Sequence, residues 1–535
     1  MSIGFKFSLP LFFLMGLVMF TASPALAQEL PPTATGGNFD LLPAALTLLL
    51  PLGLILLTGS AMPEEQAPAT ASRLLLSWGA AALAYFAVGF AFQFGGIAQV
   101  TPDPDLRGLY WEWYPLDPSV AVDVARQWGV IAWQGWALSG AAATPAAFRL
   151  FLSHVSLVGV AALIPAASLP DRWRSVTNPL VAVLTGALIY PVAGNWLWGG
   201  GWLASLGASL GLGHGLVDFG GSSVIFLSAS MATLAAALLF RSIPARDAPS
   251  ESAEVVITTG LENGLTVYDE PPATTGEILA APPMPSAYLP LLSLLGGGLM
   301  LLGWLGLAGG LHAPTALNFS PAQAAVNGLL AALSAALAAG AYSWFTTRAL
   351  NPLMTSRGLA AGLVTAMAGA PFIPAWPMVL AGLLVGLLLP ALIYLFDQKL
   401  RLADELAVTA TYGISALVSL LLVAFLADGR VGQGWNGIGL TDYLGVTGQG
   451  VSGLAVASSL VADWPGQLQA QLLGLSAVAA WALVVSLLLF QTVKVAAANW
   501  SRAGLELTGS ALAKAAHPAA PPSPEVEQTK DEDEG

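Results

Sequence analysis

The stretch YPVAGNWLWGGGWL at residues 190–203, followed by DFGGSSVIF at 218–226, decides how this chain folds. It sets three consecutive glycines among tryptophans and then places one carboxylate, Asp218, at the start of an apolar run. A charged side chain inside a bilayer costs several kcal/mol, so membrane segments keep one where it caps a helix, pairs with another group or faces a substrate path. Helix capping and attraction of a substrate are therefore both open for Asp218.

The composition indicates whether this chain is surrounded by water or by a lipid bilayer. Of its 535 residues, 56% are hydrophobic and 9% are charged, whereas a soluble domain carries about 25% charged residues. The net charge of −13 arises largely from two polar stretches, Glu251–Glu277 and the C-terminal DEDEG, which are typical of solvated segments and predict no nucleic-acid partner. The composition thus predicts an all-α polytopic membrane protein.

The N-terminus carries the pattern of a signal peptide over residues 1–27. Lys6 precedes an apolar run at residues 7–20, and Ala25-Leu26-Ala27 supplies the small residues of a cleavage site. The alternative is an uncleaved helix, although the apolar run is shorter than the ~20 residues of a typical span. Cleavage would leave the mature N-terminus outside the plasma (inner) membrane.

Apolar runs long enough to cross the bilayer recur along the chain, and the basic residues cluster where the predicted segments are cytoplasmic. The eleven predicted spans lie near residues 41–59, 72–95, 143–168, 177–198, 219–240, 287–310, 321–346, 356–373, 377–397, 406–426 and 470–493. Because this number is odd, an external N-terminus places the C-terminus in the cytoplasm.

Four segments interrupt or follow these spans. Residues 96–142 and 428–469 are predicted external loops, residues 242–286 a Pro-rich acidic cytoplasmic insertion, and residues 511–535 a disordered acidic cytoplasmic tail. The insertion divides the spans into five and six. Because transporter folds often combine two inverted five-helix repeats, the count predicts two such repeats and one C-terminal helix.

Several motifs together resemble the ammonium transporter (Amt/Mep/Rh) family, with a likeness that covers roughly residues 40–510 of a transmembrane domain predicted over residues 28–510. In that family a Trp-Gly-Gly-Gly turn precedes a helix that starts with Asp-Phe-Ala-Gly, as in the stretch quoted first. Three further segments agree in order and spacing: VGFAFQFGG at 88–96, LLGWLGLAGG at 301–310 and RGLAAGLVTAMAGAPFI at 357–373.

The resemblance implies a homotrimer with a narrow pore for ammonium or ammonia through each protomer. It assigns Asp218 to capping its helix and favouring cation entry, and Trp198 to holding ammonium against the indole face at the substrate entrance. The alternative for Trp198 is simple packing of the turn. For Gly199, Gly200 and Gly201 we favour close approach of the backbones over a direct role.

The chain departs from the family pattern at the pore centre. Members carry one histidine eight residues after the acid and one in the tenth span; counting gives Phe226 and, from LRLADELAVTATYGISALV at 400–418, Tyr412. Imidazole relays a proton near neutral pH, which a phenyl ring cannot do. We therefore predict that Phe226 and Tyr412 face one another as a pore constriction without a proton relay.

The outer gate of the family is also altered. Its gate phenylalanines correspond to Ser153 or Leu157 and to Leu307, and a hydroxyl donor expected after Trp304 corresponds to Leu311. His214 and His312 fall in external loops and His517 in the tail. His154, the histidine inside a span, is more often a packed residue than a relay, and we keep it with Leu157, Trp304 and Leu307 as a candidate for the pore or gate.

Two functions remain open. The chain is either an ammonium transporter-like channel or a non-conducting homologue that acts as a sensor or structural membrane subunit and contacts a cytoplasmic regulatory protein. An enzyme is disfavoured, because the sequence shows no catalytic triad, no phosphate-binding loop and no metal-ligand cluster. Without cysteine it has no thiolate metal site, and no cofactor is indicated.

Overall fold

Long apolar helices make up most of the described chain. The computed structural model describes residues 41–101, 103–111, 129–168, 171–239, 288–310, 312–314, 318–400 and 406–516, with the backbone alone for 171–176 and 496–516. The predicted signal peptide, the insertion at 242–286, Leu311 and His517 lie outside these ranges. From Pro43 onward the described residues belong to one compact unit, while Leu41 and Leu42 belong to a separate N-terminal unit.

Eleven long helices, α1 to α11, follow one another along the described chain. Shorter helical turns lie at Leu206–Leu210, Pro104–Leu106, Trp136–Leu138, Gly140–Ala142 and Trp435–Gly437. In chain order the long helices are Leu41–Ser60, Ala67–Gln99, Pro145–Ala167, Thr177–Leu197, Ser222–Leu239, Tyr288–Leu307, Pro321–Thr347, Pro352–Met367, Ala375–Lys399, Thr409–Leu426 and Gly466–Ala516.

Ten of these helices are long and apolar enough to cross a membrane, in agreement with an all-α polytopic membrane protein. The exception is α8, which has 16 residues and ends at Met367, six residues before the predicted end of the eighth span. Polar groups of other helices bind the backbone beyond it: the Asn327 amide donates to the carbonyls of Ala370 and Ile373, each at 2.7 Å. These contacts replace the bonds that would continue the helix.

The helix contacts repeat between the two halves of the chain. Helix α2 packs on α3 and α4, and α1 packs on α3; in the second half α7 packs on α8 and α9, and α6 packs on α8. Helices α1 and α6 meet through glycines, since a Cβ on Gly53 would lie 2.5 Å from the Gly296 carbonyl oxygen. Small residues at such crossings let apolar helices approach closely.

Two features outside the predicted spans complete the fold. The loop at 428–469 contains a short antiparallel hairpin, β1 (Asp442–Tyr443) and β2 (Val446–Thr447). Helix α11 continues to Ala516, six residues into the segment predicted as a disordered tail. Its last turns, ALAKAA at 511–516, consist mainly of strong helix formers.

Candidate functional site

The start of α5 is organised by Asp218. This buried carboxylate accepts four hydrogen bonds, from the amide and hydroxyl of Ser222 at 2.8 and 3.0 Å and from the amide and hydroxyl of Ser223, both at 2.6 Å. Backbone amides at a helix start have no partner within the helix, so Asp218 caps α5 as expected. With two donors on each oxygen, its attraction of a cation is indirect and stays a prediction.

The residues after Asp218 join α5 to the end of α8. The amides of Phe219 and Gly220 donate to the carbonyls of Ala368 and Met367, at 3.1 and 2.9 Å. The last carbonyls of α8, which no residue of their own helix can satisfy, are thereby paired with the loop before α5. This junction fixes the backbone of Phe219, whose carbonyl oxygen accepts a hydrogen bond from His312.

The glycines of the Trp-Gly-Gly-Gly turn permit close packing, and this prediction is confirmed. A Cβ on Gly199 would lie 2.0 Å from the Gln93 carbonyl oxygen, to which the Asn195 amide donates at 2.9 Å. Gly200 has a φ of +83°, a conformation that side chains with a Cβ rarely adopt. The turn therefore places Trp198 at a position fixed by backbone contacts.

His154 and His312 are brought together around Trp198, and we call these three residues the histidine cluster. The ring of Trp198 lies 5.2 Å from that of His154 and 5.4 Å from that of His312, in edge-on contacts. The two imidazoles are 6.5 Å apart, and all three side chains are buried. His154 is thus packed among aromatic rings, and His312, which the sequence assigns to an external loop, lies buried beside it.

The hydrogen bonds of the cluster assign its protons. His154 Nε2 lies 2.8 Å from the His312 carbonyl oxygen, which accepts only, so Nε2 carries the hydrogen. Its Nδ1 then accepts from the Tyr190 hydroxyl at 2.7 Å and the Gln93 amide at 3.2 Å. The Gln93 Oε1 accepts from the Tyr85 hydroxyl at 2.8 Å, which completes a buried polar network.

His312 is also oriented by a hydrogen bond to a backbone carbonyl, and its Nδ1 remains as an acceptor. Its Nε2 donates to the Phe219 carbonyl oxygen at 2.7 Å, which leaves Nδ1 as a lone pair without a hydrogen-bond partner among the described residues. Burial lowers the pKa of His312 to about 4, against the opposing effect of the bond to Phe219. The imidazole is therefore neutral near pH 7.

The indole nitrogen of Trp198 is likewise without a hydrogen-bond partner within the described chain. Trp304, packed edge-on against Phe219 at 6.4 Å, also has an unpartnered Nε1. Leu157 and Leu307 are buried, and the hydroxyl of Ser153 donates to the carbonyl of Leu150 at 2.9 Å. The assignment of these residues to a gate stays a prediction, and Leu311 lies outside the described residues.

Phe226 and Tyr412 form a buried stacked pair. Their ring centroids are 5.6 Å apart with an angle of 27° between the planes. Each ring projects from a π-helical turn at the start of its helix, Ser222–Leu227 in α5 and Thr409–Ile414 in α10. Such turns are frequent at functional sites, and these two occupy matching positions in the two halves of the chain.

A small cavity of about 20 Å³ borders Tyr412. It is lined by parts of α1, α3 and α8 and by the start of α10, and the side chain of Arg357 reaches it. A cavity of this size holds about one water molecule. The aromatic pair thus has an arginine-lined cavity beside Tyr412, away from the capped start of α5.

His214, assigned from sequence to a loop, is buried and its two ring nitrogens have no hydrogen-bond partner in the described chain. The ring of Tyr443 covers it at 4.3 Å, and the Tyr443 hydroxyl donates to Asp463 at 2.8 Å. Burial lowers the pKa of His214 to about 4. His214 is thus a third buried histidine, and residues of the loop 428–469 cover it.

Sequence reasoning missed His312 as a member of the site. The one available signal was its position, directly after Leu311, where the resemblance placed a hydrogen-bonding side chain. The assignment to a loop suggested exposure, whereas the His312 side chain is buried against Phe219 and Trp198. His312, one residue after that position, was therefore the candidate for a hydrogen-bonding side chain at the site.

These features define a polytopic α-helical membrane protein with a buried polar cluster and a separate stacked aromatic pair. A family model described as the Ammonium Transporter Family matches residues 38–252 and 284–501. The chain belongs to this family, and its membership points to a transporter rather than an enzyme.

Curated relatives are similar over part of their length. The ammonium transporter Amt2 of Archaeoglobus fulgidus is 26% identical over 363 residues, which cover 67% of this chain and 64% of that protein. The ammonium transporter Amt1 of the same organism is 25% identical over 72% of this chain and 81% of its own length. The chain thus spans a little under two thirds of the first of these relatives.

Solved structures share the fold. A structure described as a sensor Amt protein has a TM-score of 0.59 and 20% identity, and the match covers 85% of this chain and 92% of that one. Mep2 of Saccharomyces cerevisiae has a TM-score of 0.58 and 17% identity over 85% of this chain and 86% of its own. At these identities the likeness concerns the fold alone.

Proposed function

We propose that the protein is an ammonium transporter-like channel that passes neutral ammonia across the plasma (inner) membrane. Membership of the Ammonium Transporter Family supports ammonium as the source of the substrate, and the relatives named above are described as ammonium transporters. The species that crosses is inferred from the side chains around the aromatic pair.

The observation that carries this proposal is the lack of an anionic partner for a dehydrated cation. The buried carboxylates of the described chain are Asp218 and Asp463; the first is saturated by Ser222 and Ser223, and the second is bonded to Tyr443. A charge moved into an apolar site without compensating ligands is penalised by many kcal/mol. Neutral ammonia avoids that cost as it passes the rings of Phe226 and Tyr412.

The cavity beside Tyr412 supports the same conclusion. The Arg357 side chain that reaches it carries a positive charge at all physiological pH values, and like charges at short range repel strongly in a medium of low dielectric constant. A positively charged side chain at the lining of this cavity favours neutral ammonia over the ammonium ion beside Tyr412.

The proposal includes the finer architecture. We infer that α8 also crosses the membrane, which gives eleven spans, and that α1–α5 and α6–α10 are inverted repeats, as the matching helix contacts and π-helical turns support. The assembly is a homotrimer with a cleaved signal peptide, an external N-terminus and a cytoplasmic C-terminus. We further propose that a cytoplasmic regulatory protein binds the sequence segments 242–286 and 511–535.

The test is an ammonium pulse applied to liposomes that contain the mature protein, with internal pH and current recorded together. We expect internal alkalinisation without a matching current, and a slower rise of the internal pH for Phe226→Trp, whose larger ring adds bulk beside Tyr412. Empty liposomes give the background leak of ammonia.

The two recordings separate the alternatives. A current comparable to that of an active family member would overturn the neutral-species mechanism. An intact trimer with neither alkalinisation above background nor current would overturn the channel, and the non-conducting sensor or structural subunit would then be the function of this chain.

A further inference from the structure

Both backbone polar groups of Val217, the residue before Asp218, are bonded to the side chain of Gln471 in α11. The Gln471 Oε1 accepts from the Val217 amide at 2.9 Å, and the Gln471 Nε2 donates to the Val217 carbonyl oxygen at 2.8 Å. Both residues are buried, and a buried backbone group without a partner costs as much free energy as a lost hydrogen bond. The start of α5 therefore depends on a side chain that lies 254 positions further along the chain.

The same amide group reaches α10. The Gln471 Nε2 also donates to the Leu420 carbonyl oxygen at 3.1 Å, and Leu420 lies about two helical turns beyond Tyr412. An amide nitrogen carries two hydrogens, so the bonds to Val217 and Leu420 use both of them. Gln471 thus connects the segment that leads into α5, which carries Phe226, to the helix that carries Tyr412.

The hydrogen bonds of Gln471 disfavour a direct contact with a substrate. Its two N–H groups are used by carbonyl oxygens, and its Oε1 accepts from Val217 and, at 3.4 Å, from Gln467 Nε2. A substrate would have to break one of these bonds and leave a buried polar group without a partner, which costs free energy. The amide is therefore suited to hold the backbone in place rather than to bind a ligand.

A second glutamine on the same face of α11 makes similar bonds. The Gln467 Oε1 accepts from the His214 amide at 3.0 Å, and its Nε2 donates to the Gly215 carbonyl oxygen at 3.0 Å. Residues four positions apart lie on one face of a helix, so the two glutamines hold this segment side by side. Within the described chain, Gln471 alone of the two bonds to Leu420, which makes Gln467 a matched control.

We propose that Gln471 is a positioning residue that sets the spacing of Phe226 and Tyr412 and thereby discriminates ammonia from larger amines. This inference rests on the proposed function and concerns the selectivity of that path. Asp218 caps α5 directly after Val217, so a displacement of Val217 moves the start of the helix from which Phe226 projects. The bond to α10 keeps that helix in place relative to this start. Without the bond, the two rings, whose centroids are 5.6 Å apart, are free to separate.

The test compares the uptake of ammonia and of methylamine into liposomes that contain the full-length protein, through the internal alkalinisation that each neutral amine causes. Gln471→Met keeps a side chain of similar length but has no N–H donor. We expect it to raise the ratio of the methylamine rate to the ammonia rate about threefold, as the loss of one hydrogen bond predicts. Gln467→Met, which loses its own hydrogen bonds but none to α10, is expected to keep the wild-type ratio.

Gln471→Glu is the second variant, and it is measured alone if Gln471→Met does not fold. Its carboxylate still accepts from the Val217 amide but donates to neither carbonyl oxygen, so we expect the ratio to rise here as well. An unchanged ratio in the folded Gln471 variants would overturn the proposed role. A rise of equal size in Gln467→Met would also overturn it, because the effect would then follow from loss of stability alone.

Amide hydrogen exchange in detergent supplies a readout that does not depend on flux. We expect Gln471→Met to increase exchange in peptides that cover residues 217–227 and in peptides that cover residues 409–420. Gln467→Met is expected to leave residues 409–420 as protected as in the wild type, because its hydrogen bonds hold the loop before α5. Unchanged exchange at residues 409–420 in Gln471→Met would contradict a connection to α10.

The two readouts separate this inference from the channel function. Faster exchange in both segments after Gln471→Met, in a protein that conducts neither amine, would support the positioning of α5 against α10 and overturn the channel. Uptake of ammonia with an unchanged ratio in the folded Gln471 variants would overturn the role of Gln471 and leave the channel.

Discussion

The histidine cluster and the Phe226–Tyr412 pair are both buried aromatic groups, yet they differ in polarity. In the cluster, His154 and His312 are tied to two carbonyls, a hydroxyl and an amide; the pair is a stack of two rings. Relative to the family pattern, imidazoles are absent where the resemblance expects them and present beside Trp198. The difference shows that one helical scaffold can hold its imidazole groups at different positions in the chain.

The largest expected effect concerns the start of α5, on which both regions depend. Asp218→Ala removes the acceptor of four hydrogen bonds and leaves the first amides of α5 unpaired, so we expect a loss of about 3 kcal/mol or more in stability. The start of α5 carries Phe219, which holds His312, and Phe226. The yield of monodisperse protein and its melting temperature in detergent measure the change.

Asp218→Asn is the matched control for this variant. It keeps one carbonyl oxygen as an acceptor and is expected to retain part of the stability. If Asp218→Ala melts at the wild-type temperature, the cap does not support the junction on which both regions depend.

A smaller effect is expected on the pH dependence of stability, which tests the burial of the His214 imidazole. The folded-state pKa of His214, about 4, lies below its ordinary value of 6.5, so the unfolded chain binds the proton more tightly. Stability is therefore lost as the pH falls from about 6.5 towards 4, by about 2 kcal/mol at pH 5. His214→Gln removes this term while Asp463 stays in place, and its melting temperature is expected to fall less on acidification.

Melting temperatures of wild type and His214→Gln between pH 7.5 and 5 measure this difference. Parallel curves for the two proteins would contradict the burial of an unprotonated His214 under Tyr443.

The smallest expected effect comes from introducing histidines, as found in the histidine cluster, at the Phe226–Tyr412 pair. The double change Phe226→His and Tyr412→His places two imidazoles at the aromatic pair, where they can relay a proton near neutral pH. We expect an ammonium-dependent current about tenfold above wild type, which corresponds to about 1.4 kcal/mol in the barrier. Current recorded in liposomes at equal protein density measures it.

Each single variant serves as a control for the double one, because one imidazole alone has no partner for the relay. A folded double variant without added current would indicate that the altered surroundings of Trp198, rather than the aromatic pair, limit conduction of the ion.

Local sequence predicted the parts of the site that follow chain order. The cap at Asp218 and the close-packed glycine turn depend on neighbouring residues, and the contact of Phe226 with Tyr412 followed from counting within a recognised pattern. His312 and the early end of α8 did not follow, because each depends on residues far along the chain. Asn327 and Phe219 act across 43 and 93 positions, which no local periodicity records.

The sequence by itself determined that this protein is a polytopic helical membrane protein, since apolar runs of sufficient length leave few other structures in a bilayer. It also determined the family, through a set of spaced motifs. The tertiary structure alone decided which nitrogen donates in His154 and in His312. That choice is set by carbonyl groups from distant segments, and a hydrogen bond exists only once folding brings its donor and acceptor together.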